Sequence, residues 1–152
     1  MRVNRGGGKV EKIKWLILAI VLITISISIG WWLTMRITTN FATEALLEFH
    51  WPSIHNPDVS ISAIIVDECD IVALQEILRG VSLRDTLHCG FSADISITMT
   101  NRERSIMFCL ANDGCPILRI NDSNRYIRIT DEAIRRLHDI FKRYGAPPPP
   151  WM

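Results

Sequence analysis

The sequence lacks the short motifs of the common catalytic and nucleotide-binding sites. It contains no phosphate-binding glycine loop, no hydrolase or kinase signature and no internal repeat. Its four cysteines do not form the two closely spaced pairs that are typical of structural zinc sites. The spacing of the acidic residues does not fit a calcium-binding loop. We therefore expect neither an enzyme nor a cofactor.

Charge is absent from the stretch between Trp15 and Met35, which runs for about twenty residues and is long enough to cross a bilayer. Trp15 stands at one end of this stretch, and Trp31 with Trp32 stands near the other, as interfacial aromatic residues do. A buried core helix of this length would need a polar face, which the stretch lacks. Residues 15–35 are therefore predicted to be a transmembrane anchor in the lipid bilayer.

Lysine and arginine are absent between Arg36 and Arg79, whereas residues 1–14 contain Arg2, Arg5, Lys9, Lys12 and Lys14. Positive residues are retained on the cytoplasmic side of a membrane. We therefore predict a single-pass protein of the cell membrane, with residues 1–14 as a basic cytoplasmic tail and the C-terminal domain outside the cytoplasm. The alternative is a signal peptide cleaved before Trp31, because Ser28 and Gly30 are small enough for signal peptidase.

Residues 36–57 are predicted to be a juxtamembrane helix and a linker. Phe41, Leu46, Leu47 and Phe49 supply an apolar side, and Glu44 and Glu48 lie one turn apart on the other side. Proline disfavours helical geometry at the preceding residue, so Trp51-Pro52 ends the helix and Asn56-Pro57 prolongs the linker.

Residues 58–145 are predicted to form a small extracytoplasmic domain. Its first strand is the β-branched run Val59 to Val66, which Asp67 follows as a helix N-cap. That helix has apolar residues at helical spacing and is expected to end at Gly80. The apolar residues are Ile71, Leu74, Ile77 and Leu78.

The rest of the domain is predicted to be an antiparallel meander of four strands followed by a helix. Turns are expected at Asn101, at Asp113-Gly114 and at Asn121 to Asn124. The last helix is capped by Thr130 and ended by Gly145. The fold class is therefore α+β, in the order strand, helix, four strands, helix, with both helices on one face of the sheet. Residues 146–152 form a proline-rich tail.

All four cysteines, Cys69, Cys89, Cys109 and Cys115, fall in the domain that we place outside the cytoplasm, where disulfides persist. Hairpin geometry favours Cys109 with Cys115 and Cys69 with Cys89, although four cysteines allow three pairings. The alternatives are buried free thiols, a zinc site that also uses His88, and a nucleophilic thiol.

Basic residues collect in the closing half of the chain, where Arg119, Tyr126 and Arg128 are candidates for binding an anionic partner. Trp151, at the end of the proline-rich tail, is a fourth candidate. The alternative is an ordinary solvated arginine surface. Nucleic acid is not an expected partner outside the cytoplasm.

The acidic group Asp67, Glu68 and Asp70 is better explained by helix capping than by metal binding.

These patterns favour a membrane-anchored extracytoplasmic module, of interaction or regulatory type, that binds a protein, a peptide or an envelope component. The alternative from another functional class is a thiol-redox or metal-binding protein that uses the cysteines of the outer domain.

Overall fold

A computed structural model describes residues 7–51, 59–84, 89–111, 113 and 115–147. The chain divides into two compact units, Met1–Met35 and Arg36–Met152. The first unit contains helix α1, Gly7–Met35. Its segment Glu11–Met35 is long and apolar enough to cross a membrane. The prediction of an apolar N-terminal helix is confirmed.

The second unit contains nine strands and two helices among its described residues. The strands are β1 Arg36–Ile37, β2 Glu44–Trp51, β3 Val59–Ile65, β4 Gly80–Val81, β5 Leu83–Arg84, β6 Phe91–Thr100, β7 Ser105–Ala111, β8 Ile117–Ile120 and β9 Arg125–Arg128. The helices are α2 Glu68–Ile77 and α3 Asp131–Arg143. Seven strands form one sheet in the order β3-β2-β6-β7-β8-β9-β5, and β1 pairs with β4 separately.

Every strand pairing in both sheets is antiparallel. Along β2 the side chains alternate, because Ala45, Leu47 and Phe49 are buried whereas Glu48 and His50 are exposed. The buried set belongs to what we call the helix face of the sheet, and the other set belongs to the second face.

The hydrophobic core joins the helix face to both helices. Leu74 of α2 and Phe141 of α3 lie in the same buried cluster as the inward side chains of the central strands. Those side chains are Leu47, Ile95, Ile97, Met99, Ile106, Phe108, Leu110, Leu118, Ile120 and Ile127. The α+β class is thus confirmed, with both helices contributing to the core on one side of the sheet.

Both helices begin at the N-caps that the sequence predicts. The Asp67 carboxylate accepts a hydrogen bond from the Asp70 backbone N–H at 3.1 Å, and the Thr130 hydroxyl accepts one from the Ala133 N–H at 3.2 Å. Helix α3 is followed by Gly145 with a φ of +78°, a left-handed conformation that glycine adopts without a steric penalty.

The predicted juxtamembrane helix is wrong along the described part of this segment. Arg36–Ile37 form strand β1, residues 38–43 contain a turn, and residues 44–51 form strand β2. Leu47 of β2 lies between Ala63 of β3 and Ile97 of β6. The apolar residues of this segment fit a period of two as well as a helical period, and pairing on both sides selects the strand. The domain consequently has more strands than the predicted order of strand, helix, four strands, helix.

Candidate functional site: the second face of the sheet and the Cys89–Cys115 pair

One row of side chains crosses the second face from β2 to β9. The ladder register places its members opposite one another in the order Glu48, Ser96, Cys109, Arg119 and Tyr126. The Ser96 hydroxyl donates a hydrogen bond to the Glu48 carboxylate at 3.3 Å. The row therefore joins an acidic end on β2 to a basic and aromatic end on β8 and β9.

The basic end of this row is covered by Phe91, which begins β6. The guanidinium carbon of Arg119 lies 5.5 Å from the centroid of the Phe91 ring, and the rings of Phe91 and Tyr126 are 5.3 Å apart. Arg119 Nη2 also lies 3.4 Å from a carboxylate oxygen of Asp122. These contacts combine cation–π, aromatic and ionic attraction, so Arg119 is held in place rather than extended into solvent.

Of the candidates for partner binding, Arg119 and Tyr126 face each other across the ladder, and Arg128 faces Ile117. Tyr126 is only 6% exposed and the Arg119 side chain is 23% exposed, whereas Arg128 is exposed. Trp151 lies outside the described residues. The structure thus places three of the four candidates on the second face, and of these three only Arg128 is exposed.

The two cysteines at disulfide-bonding distance are Cys89 and Cys115, with their Cα atoms 6.5 Å apart. Cys69 and Cys109 are free, Cys69 being exposed and Cys109 buried. The preferred pairing of Cys109 with Cys115 and Cys69 with Cys89 is therefore wrong.

The register explains the difference. Cys109 lies opposite Arg119 in the ladder. Strand β8 begins only at Ile117, so Cys115 lies in the connection between β7 and β8 and not opposite Cys109. Phe91 pairs with Ala111, which brings the residues before β6 next to the turn after β7. The hairpin argument from sequence therefore selects the wrong partner for Cys115.

Asp113 holds the ends of these two segments together. Its carboxylate accepts hydrogen bonds from the Gly90 N–H at 2.8 Å and from the Cys115 N–H at 3.3 Å. One carboxylate oxygen and the sulfurs of Cys89 and Cys115 all lie within 4.8 Å of one another. Sequence reasoning treated Asp113 only as a turn residue, although its position two residues before a cysteine was a usable signal. His88, the proposed fourth member of a zinc site, lies outside the described residues.

The buried thiol of Cys109 does not have the properties of an activated nucleophile. Burial raises the pKa of the Cys109 thiol above its ordinary value, and the nearby Arg119 guanidinium offsets this effect only in part. A reactive cysteine requires the opposite, a lowered pKa and access to solvent. Cys109 is therefore best described as a packed thiol of the second face.

The acidic group at the start of α2 has two separate roles. Asp67 caps the helix, as the sequence predicts. Asp70 is buried, pairs with the Arg143 guanidinium and accepts a hydrogen bond from the Tyr144 hydroxyl at 3.0 Å. Sequence reasoning missed this link between α2 and the end of α3, because residues 70 and 143 are far apart in the chain.

Near the β3 edge, the second face forms a shallow cleft of about 290 Å³. Among its lining residues are Glu48, His50, Ser60, Ser62 and Asp94. It combines acceptors, hydroxyls and one imidazole, and it opens to solvent.

Comparison with known protein families, with curated proteins and with solved structures gives no match.

Proposed function

We propose that the chain is a membrane-anchored, extracytoplasmic interaction module. In this proposal α1 spans the bilayer with residues 1–14 in the cytoplasm, and the domain that begins at Arg36 binds an extended segment of a protein partner outside. The binding surface is the outer edge of β3, and binding requires no catalytic group.

The exposure of α1 supports its role as an anchor. Apolar side chains all around the helix are open, among them Trp15 at 70%, Ile27 at 64% and Trp31 at 63% exposure. The four hydroxyls of the apolar stretch donate to backbone carbonyls of the same helix at 2.8 Å. A helix in hydrocarbon must satisfy its polar groups internally in this way.

One observation carries the binding proposal: β3 is an end strand of the seven-stranded sheet, and no other strand among the described residues pairs with its outer edge. From Val59 to Val66 there is no charged residue and no proline, and Ile64 and Val66 are 66% and 69% exposed. Natural sheet edges usually carry charge, proline or a bulge that prevents pairing with another chain. An edge without these features favours strand addition, in which main-chain hydrogen bonds provide the affinity.

The side chains beside this edge give the surface its chemical character. Ile64 lies opposite Leu46 in the ladder, and Ser62 lies opposite Glu48. An added strand would therefore meet an apolar pair next to a polar and acidic pair on the second face. Because Tyr126 is buried, we place the binding surface at β3 rather than around Arg119.

The proposal is tested by site-specific photo-crosslinking from position 62 of the full-length chain in its native membrane. Ile64→Lys places a charge on the edge, and Val72→Lys is the matched control on α2, where Val72 is 46% exposed. We expect one crosslinked protein segment, at least about tenfold weaker in the Ile64 variant and unchanged in the Val72 variant. Equal crosslinking in both variants, or none in the unmodified chain, would overturn the assignment.

The orientation has its own test. Protease added to the outer side of intact cells is expected to digest the domain after Arg36, because the proposal places that domain outside. Digestion only after the membrane is opened would place the domain inside and contradict the proposal.

A further inference from the structure

Three groups that bind metals converge where β6 begins and β7 ends. The sulfurs of Cys89 and Cys115 and a carboxylate oxygen of Asp113 lie within 4.8 Å of one another. Cys89 and Cys115 are half-buried and Asp113 is exposed. Thiolates with a carboxylate are a donor set that suits zinc and related thiophilic cations.

We propose that this cluster is a redox-controlled binding site for a divalent cation of the zinc class. With the disulfide formed, the site binds no metal. With the disulfide reduced, the two thiolates and the Asp113 carboxylate hold the cation, and the exposed side leaves a fourth position for water.

The two states are connected by a balanced exchange. An external dithiol attacks the Cys89–Cys115 bond and transfers two electrons and two protons to the cysteines, and it becomes a disulfide itself. The cation then displaces the two thiol protons, and two sulfur–metal bonds form. Reoxidation by a disulfide of higher potential reverses the sequence and releases the metal.

The backbone geometry accommodates both states. Bonds of about 2.3 Å from each sulfur to a tetrahedral zinc place the two sulfurs about 3.8 Å apart. The Cα atoms of Cys89 and Cys115 are 6.5 Å apart, near the wide end of the disulfide range of about 4.4 to 6.8 Å. Modest side-chain rotation is therefore enough to move the sulfurs from bonding distance to ligand spacing.

Asp113 is held in place independently of any metal. Its two carboxylate oxygens accept hydrogen bonds from the N–H groups of Gly90 and Cys115. Gly90 directly follows Cys89, so both bonds hold the carboxylate beside the two cysteines. A carboxylate has about four acceptor positions, so two remain for a cation. Hydrogen bonds of this kind orient a ligand before the metal arrives.

This inference goes beyond the proposed binding of a protein segment and does not depend on it. The metal site uses none of the residues of β3 and is measured on the purified chain. Failure of the crosslinking test would leave the metal site intact, and failure of the metal test would leave strand addition intact.

The experiment uses the full-length chain in detergent micelles, with Cys69→Ser and Cys109→Ser so that only the proposed ligand cysteines remain. The chain is reduced with a dithiol, freed of reductant without oxygen, and titrated with Co²⁺ alone. We expect one equivalent to bind with thiolate-to-cobalt charge-transfer absorption, Zn²⁺ to displace it, and the oxidised chain to bind none.

Variants separate a three-ligand site from simple thiol binding. Asp113→Asn keeps one side-chain oxygen that can accept a hydrogen bond in the turn, but it removes the charged carboxylate. We expect it to weaken Co²⁺ binding by about tenfold or more. Asp131→Asn, at the exposed start of α3, is the matched control and should bind as the parent does.

Three results would overturn the proposal. One is a reduced chain that takes up no Co²⁺ while its circular dichroism still matches the oxidised chain. Another is an Asp113→Asn variant with unchanged affinity. The third is equal uptake by a Cys89→Ser, Cys115→Ser chain that keeps Cys69 and Cys109.

Discussion

The apolar side chains of α1 and those of the domain after Arg36 belong to the same residue types but have opposite surroundings. In α1 Leu22 is 56% exposed and Ile25 is 49% exposed, whereas Leu47 and Ile97 of the domain are fully buried. The domain buries its apolar residues against its own strands and helices. Those of α1 are exposed, and in the proposed topology the hydrocarbon of a bilayer covers them.

The polar groups of the two regions differ in the same way. The hydroxyl of Ser26 bonds only four residues back, to the carbonyl of Leu22. In the domain, the Thr39 hydroxyl donates to the Gln75 carbonyl at 3.2 Å, and the Gln75 amide donates to the Ala42 carbonyl at 3.0 Å. The four hydroxyls of the apolar stretch thus bond within α1, whereas the domain also uses side-chain bonds between distant segments.

The strongest test of this difference places two charges in α1. Leu22→Arg with Ile25→Arg should raise the free energy of membrane insertion by about 5 to 7 kcal/mol, since each central arginine costs about 2.5 to 3.5 kcal/mol. The fraction of the chain that resists alkaline extraction from membranes should fall sharply.

The matched control places two arginines on the domain surface, at Val72 and Val81, which are 46% and 50% exposed. This variant should remain in the membrane fraction. If both double variants partition alike, α1 does not act as a membrane span.

The next effect is confined to the domain core. Phe108→Ala removes a ring with 0% exposure and should lower the free energy of unfolding by about 3 to 5 kcal/mol, through lost burial and a residual cavity. Urea unfolding of the detergent-solubilised chain, followed by circular dichroism, measures the change.

Leu22→Ala in α1 is the control for this core deletion. Leu22 belongs to the separate compact unit Met1–Met35, so the urea midpoint of the domain should stay unchanged. A similar loss of stability in both variants would show that the two regions do not differ as described.

A smaller effect is expected at the polar link between α2 and the end of α3. Asp70→Ala removes the acceptor for Arg143 and for the Tyr144 hydroxyl. The variant should be less stable by about 1.5 to 3 kcal/mol, the range for hydrogen bonds to a charged group. Thermal unfolding at neutral pH measures it.

Tyr144→Phe separates the two contacts of Asp70, because it removes one hydrogen bond and leaves the arginine. Its cost should be smaller, about 1 kcal/mol. Burial, followed by the bond to Asp70, raises the pKa of Tyr144. Stability contributed by the neutral phenol is therefore complete below the ordinary pKa of 10.0 and is lost as the pH rises through the folded pKa. The phenylalanine variant should not show this alkaline loss.

Local signals were sufficient for the elements whose ends are fixed within a few residues. Asp67 and Thr130 are caps whose partners lie three residues away, and Gly145 follows α3 with a positive φ. Leu137, Ile140 and Phe141, which stand at helical spacing, are the buried residues of α3. In these cases both partners of the interaction lie within a few residues of each other in the sequence.

Non-local pairing accounts for the errors. Strand β2 is stabilised by pairing with β3 and β6 on its two sides. Its apolar residues fit both a strand period and a helical period, so the sequence of this segment alone does not show that it pairs with other strands. The Cys89–Cys115 pair likewise depends on Phe91 lying opposite Ala111. Asp70 was missed for the same reason, since helix packing brings Arg143 and Tyr144 to it. For Asp113, the bond from Gly90 depends on the sheet register, although its other partner, Cys115, is close in sequence.

The smallest effect concerns the exposed ion pair between the two helices, where Arg136 Nη2 lies 2.8 Å from a Glu76 oxygen. The hydrogen bond from Arg136 lowers the pKa of Glu76 below its ordinary value of 4.5. The pair therefore stabilises the fold above pH 4.5, and this contribution is lost as the pH falls through the folded pKa. Glu76→Gln should be slightly less stable than the unmodified chain at neutral pH, and the difference should vanish in acid and shrink in high salt.

Glu103→Gln, in the exposed β6–β7 turn, is the control for thermal unfolding across this pH range. A difference that stays constant with pH would show that packing of the Glu76 side chain, rather than its charge, joins α2 to α3.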